Sequence, residues 1–89
     1  MAEAERLLRD GMKSLGLETN KMNELPGSDP RKIAIASAVH ERTAVPQGGT
    51  AEKLAMGSAG NVSQLVRRMR RGEIKLGKEA KAWLARAER

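Results

Sequence analysis

At 89 residues the chain has room for one domain and a thin core, because folding at this size buries only about 60–65% of the surface that the unfolded chain exposes. It has no cysteine, one tryptophan (Trp83), no phenylalanine and no tyrosine. This excludes disulfides and thiolate metal sites and leaves Ala, Leu, Ile, Val and Met to fill close-packed helices. The formal net charge is +6, the start MAEAERLLRD is charged, and no apolar run approaches the roughly 20 residues of a membrane span, so a cytoplasmic protein without membrane partners is expected.

The first predicted element is a helix over 3–15, in which Ala4, Leu7, Leu8, Met12 and Leu15 recur at three- and four-residue steps and Gly16 supplies the stop. Thr19 is placed to cap a short helix over 20–25 with Met22 and Leu25 inward, before Pro26-Gly27-Ser28 breaks the chain. Asp29-Pro30 is a strong start: the carboxylate can accept free first-turn amides, and proline suits the first helical position. The helix it opens runs to about Arg42. Ile33, Ala36 and His40 share one stripe, and the small residues Ala34, Ala36, Ser37 and Ala38 permit close approach of neighbours, so this helix is expected to be the most buried.

Pro46 opens a short helix over Gln47 to Ala55, with Ala51 and Leu54 inward. Gly48 and Gly49 weaken it, each by about 1 kcal/mol relative to Ala. Met56-Gly57-Ser58 reads as a turn, with Gly57 ending one helix in the left-handed region and Ser58 capping the next. Val62, Leu65, Val66 and Met69 then follow i, i+3, i+4, i+7 in a helix over 59–71 that Gly72 ends. A last, basic helix over about 77–88 has Ala80, Trp83, Leu84 and Ala87 on one side, with Trp83 docking it on the core. The expected fold is all-α: a small bundle of five to six helices in one domain over 1–89.

Charge and pattern converge on the C-terminal half. Residues 1–63 are net neutral, so the whole excess of +6 lies within 64–89, the footprint of a polyanion-binding surface. The helices 47–55 and 59–71, joined by a glycine-containing turn, have helix-turn-helix form over about 47–71, with Ala51 small at the crossing and Val62 and Leu65 inward. Ser58, Ala59, Gly60, Asn61, Ser63, Gln64 and Arg67 are then the candidate base-contact residues. Small residues allow entry into the major groove, Asn61 and Gln64 each offer a donor and an acceptor to adenine, Ser63 can contact base or phosphate, and Arg67 can grip guanine or phosphate. Arg68, Arg70, Arg71 and Lys75 are candidate contacts to the DNA backbone.

The blocks AERLLRDGMKSLG, GSDPRKIAIASAVHERT and AEKLAMGSAGNVSQLVRRMR resemble the C-terminal region of bacterial transposase-like proteins of the single-tyrosine, rolling-circle type associated with repeated palindromic DNA. In that family a "GDPRK…RT…WIAERLHMG…VS" stretch follows the catalytic domain and reads as a helix-turn-helix. The resemblance covers about residues 3–71 and implies DNA binding, with Asn61, Val62 and Ser63 at the start of the recognition helix. Two departures stand out. Gly49-Thr50 occupies the place of Trp-Ile, and the family's catalytic chemistry, which needs a His-x-His metal pair and a tyrosine, has no counterpart in a chain with one histidine and no tyrosine.

No other chemistry is encoded at useful spacing. His40 lacks ligand partners, Gly48-Gly49 is not followed by the Gly-Lys-Ser/Thr of a phosphate loop, and the paired carboxylates have no cleft logic. The expectation is therefore a non-enzymatic, cofactor-free and metal-free module that binds double-stranded DNA with a sequence preference, for transposon-end recognition or transcriptional control. Two alternatives are a helical protein-interaction adaptor with a basic C-terminal helix and RNA binding through 67–75.

Overall fold

The computed structural model describes residues 2–43 and 47–87. Among them the chain is all-helical, with five α-helices, one 3-10 helix and no strand: α1 (Ala2–Ser14), the 3-10 helix η1 (Thr19–Glu24), α2 (Pro30–Arg42), α3 (Gln47–Lys53), α4 (Ala59–Arg70) and α5 (Lys78–Ala87). Pro46 and residue 88, expected to bound α3 and α5, lie outside the described residues.

The centre of the fold is α2, which touches α1, α3, α4 and α5. Its start is built as expected. The Asp29 carboxylate accepts from the Arg31 amide at 2.9 Å, and Pro30 sits in the first turn. The Arg31 side chain adds a second grip by donating to both Asp29 oxygens at 3.1 and 3.0 Å. That guanidinium holds the Asp29 carboxyl below its usual range. From Lys32 to Val39 every residue is buried, because Ala34, Ala36, Ser37 and Ala38 are small enough for helices to approach on several sides. The stripe stops there: His40 is exposed, not inward.

Around α2, the periodic faces point as their spacing requires. Ala4, Leu7, Leu8 and Leu15 of the first segment are buried, as are Ala51, Leu54, Val62, Leu65, Val66, Ala80, Trp83 and Leu84. Trp83 is 1% exposed, and its indole Nε1 donates to Asp10 Oδ2 at 2.8 Å. The docking of α5 thus buries a ring and satisfies its one polar atom. Gly11 explains how close the helices come. A Cβ there would lie 2.6 Å from Ile35 Cγ1 and 3.0 Å from Trp83 Cζ2, so a glycine in mid-helix, normally a cost, is what lets α2 and α5 close on α1.

One interaction was not anticipated. Lys32 is fully buried at 0% exposure, and its ammonium donates to the carbonyls of Met22 at 2.8 Å, Leu25 at 3.1 Å and Ala55 at 3.4 Å. Leu25 is the C-cap of η1, and Ala55 lies just past α3, so the cation meets the negative ends of two helices. Burial pulls this ammonium below the ordinary lysine value, opposed by the charge of Asp29. Three acceptors for three donors meet the requirement that a buried charge be hydrogen-bonded.

Two local expectations are corrected by this arrangement. Thr19 does not cap the short helix: Glu18 precedes it, no side chain caps it, and it is a 3-10 turn over Thr19–Glu24 held by Lys32 and by burial of Met22. Gly57 is left-handed as expected, at φ +92, but the residue that ends α3 is Ala55. Ala55 adopts φ +52, with the Met56 amide bonded to the Ala51 carbonyl at 2.8 Å and the Ala55 amide to Glu52 at 3.3 Å. This is the double bond pattern of a left-handed helix terminus, occupied here by a residue with a Cβ.

Two measurements follow. Lys32→Met should lower unfolding stability by about 2–3 kcal/mol in urea titrations, because three carbonyls lose a charged donor; an unchanged midpoint would show that the cage contributes nothing. Ala55→Gly should raise stability by about 0.5–1 kcal/mol, since glycine carries no penalty at positive φ. A loss on that substitution would contradict the left-handed terminus.

Candidate nucleic-acid interface

The candidate surface begins at the turn between α3 and α4. Ser58 caps α4 in extended conformation, its Oγ accepting from the Asn61 amide at 3.2 Å. Val62, Leu65 and Val66 turn into the core, with Met69 packed partly against it. At 100° per residue that burial commits the opposite side to solvent. Gly60, Gln64, Arg67, Arg68 and Arg71 are exposed there, with Ala59 and Ser63 half-buried at the flank.

Six of the eleven candidate residues converge. Gly60, Ser63, Gln64, Arg67, Arg68 and Arg71, together with Glu73, line one shallow open depression along α4. Its chemistry is graded. The N-terminal half offers small and neutral polar groups, and the C-terminal half carries three guanidinium groups where the helix dipole also favours cations.

The remaining candidates are placed otherwise. Ser58 is engaged as the cap. Asn61 is exposed, but its Nδ2 donates back to the Met56 carbonyl at 2.6 Å, so the side chain braces the turn. Arg70 reaches α2, donating to Ser37 Oγ at 2.8 Å and pairing with Glu41 at 3.0 Å. Ala59 sits in the first turn of α4 beside Gly60, and Lys75 lies exposed in the segment before α5. Glu73 was missed. Its carboxylate meets Arg68 Nε at 3.4 Å and Arg71 Nε at 3.3 Å. The available sequence signal was Gly72, since a glycine just past a helix folds the next residue back over the last turn.

A second depression on the other flank of α4 is lined by His40, Glu41, Ser63, Val66, Arg67 and Arg70; it carries two arginines where the first carries three. A groove of about 600 Å³ also runs between α1, η1 and α3, over Leu8, Met12 and Met22, with Gly49 on its wall. A Cβ at Gly49 would meet nothing within 4 Å. Among the described residues no group of three or more His, Asp or Glu side chains is arranged to hold a metal ion. No helix among them is long and apolar enough to cross a membrane.

The bracing role of Asn61 is testable on stability alone. Asn61→Ala should cost about 1–2 kcal/mol in chemical denaturation, because Met56 is buried at 1% exposure and its carbonyl would lose this donor. A side chain serving only to contact bases would leave the unfolding midpoint in place. No protein-family model, no curated protein and no solved structure matches this chain, so the reading of the α4 surface rests on its own geometry and charge.

Proposed function

We propose that this chain binds double-stranded DNA through the exposed face of α4, with α3, its turn and α4 working as a helix-turn-helix. The observation that carries this reading is the gathering of Gly60, Ser63, Gln64, Arg67, Arg68 and Arg71 on one open surface. It lies within the part of the chain where the excess of positive charge begins. Ala59, Gly60 and Ser63 keep the leading half of the helix slim enough to enter a major groove about 12 Å wide. Gln64 can pair with the two edge atoms of adenine and Arg67 with those of guanine. These two residues are three apart, hence about 4.5 Å along the helix axis, a spacing that suits neighbouring base pairs. Arg68, Arg71 and Lys75 are the backbone contacts, which fix register and carry no sequence information.

Within this reading Ser58 and Asn61 act indirectly by holding the turn, and Arg70 by holding α4 to α2. The proposed biological setting is transposon-end recognition or transcriptional control, which is what the sequence resemblance to the C-terminal region of single-tyrosine transposase-like proteins implies. Binding of single-stranded RNA by ring stacking is disfavoured by a specific observation. Trp83 is the chain's only Phe, Tyr or Trp and is 1% exposed, so no such ring is presented to a base.

The test is a fluorescence-anisotropy titration of duplex DNA over a salt series. Each phosphate contact should contribute about −0.9 to the slope of log affinity against log salt. Replacing Arg68 and Arg71 together by Gln should flatten that slope by up to about two units and weaken cognate and random duplexes alike. Gln64→Ala should instead relax preference at one base pair by about 1–3 kcal/mol with random-sequence affinity unchanged. Weak binding throughout, with a slope the double substitution does not alter, would overturn the DNA reading in favour of a protein-binding adaptor.

A further inference from the structure

We infer that Glu73 is an internal phosphate mimic, a carboxylate seated on the arginine pair that a DNA phosphodiester would occupy, and that it holds down the strength of backbone binding. The inference rests on the proposed DNA reading of α4. Its structural basis is the end of that helix. Gly72 adopts φ +81, its amide bonds to the Met69 carbonyl at 3.0 Å, and the Glu73 amide bonds to the Arg68 carbonyl at 2.9 Å. The backbone therefore turns Glu73 back over the last turn of α4, beside the arginines, before any side-chain rotamer is chosen. A negative charge at a helix C-terminus is opposed by the helix dipole, so the local helix end gives no reason for a carboxylate there.

The seat has the geometry of the ligand it imitates. Oε1 of Glu73 lies 3.4 Å from Arg68 Nε and Oε2 lies 3.3 Å from Arg71 Nε. One anion thus spreads two oxygens over two guanidinium groups, as the two non-bridging oxygens of a phosphodiester would. All three side chains are about half exposed, at 45%, 60% and 46% for Arg68, Arg71 and Glu73. Ion pairs so exposed add little to folding, and the seat is open to an incoming anion. When the duplex arrives, the phosphate must displace the carboxylate and tolerate its charge nearby. The carboxylate released takes up counterion that the phosphate gives off, which makes the salt dependence shallower than the number of arginines implies.

The experiment compares the parent chain, Glu73→Gln and Glu24→Gln on a random-sequence duplex by anisotropy across a salt series, with thermal unfolding followed by circular dichroism. Glu24 is an exposed carboxylate on η1, outside the α4 depression, and its substitution removes the same charge. The expected result is that Glu73→Gln binds about three- to tenfold tighter at low salt and steepens the salt slope by about one unit. Glu24→Gln should change neither by as much, and both variants should melt near the parent temperature. Three results would overturn the inference. In the first, the parent binds DNA while Glu73→Gln shows the same affinity and slope, which leaves the DNA reading intact. In the second, Glu24→Gln produces as large an effect, which makes it one of net charge. In the third, neither the parent nor Glu73→Gln binds duplex, which removes the DNA reading as well.

Discussion

The constraint on which the rest of this structure depends is the burial of the Lys32 ammonium. A charge at 0% exposure is costly to take out of water and is tolerated only when its donors are occupied. Here they are occupied by carbonyls of Met22, Leu25 and Ala55, from two chain segments that have little regular structure of their own. η1 is a short 3-10 turn without a side-chain cap, and α3 is a seven-residue helix with two glycines. Neither is long enough to be stable alone. Lys32 ties both to α2, the most deeply buried helix, and so converts two weak segments into fixed walls of the core.

That tie reaches the candidate interface through a short series of bonds. Lys32 holds the Ala55 carbonyl. Ala55 is the left-handed residue ending α3, and the next residue, Met56, bonds back to Ala51 through its amide and accepts from Asn61 through its carbonyl. Asn61 and the Ser58 cap then set where α4 begins. The other end of α4 is fastened independently, by Arg70 to Ser37 and Glu41 of α2. A helix braced at its start by the turn and fastened at its end to α2 presents its outer face in a fixed orientation. Pre-organisation of this kind limits what a binding surface must spend on ordering itself. The same economy explains why polar residues that look available in the sequence are used as braces.

The core is thin where α1, η1 and α3 meet. Gly49 faces open space, and the groove between α1, η1 and α3 leaves part of Met12 uncovered. Where α1 meets α2 and α5, packing is close enough that Gly11 has no room for a methyl group. The C-terminal end of α4 is bonded directly to α2 through Arg70, whereas its start is braced through the turn over 56–58.

The sequence by itself determined the helices, because periodicity and punctuation are local. The i, i+3, i+4 spacing selected the buried faces of α1, α4 and α5. Asp29-Pro30 and Ser58 marked two helix starts, Gly16 and Gly72 two helix ends, and the charge asymmetry pointed to α4 and the segment after it. Only the tertiary structure decided which polar side chains face solvent. Lys32 and Arg31 are neighbours of the same charge, and nothing local separates the fully buried one from the half-buried one. The carbonyls that make burial tolerable are contributed by residues 10, 7 and 23 positions away. Arg70 is drawn inward by a serine 33 positions away, and Trp83 finds Asp10 across 73. Helical period states the direction in which a side chain leaves its own axis. What waits for it there depends on how the helices pack, and that is set by contacts between residues far apart in the chain.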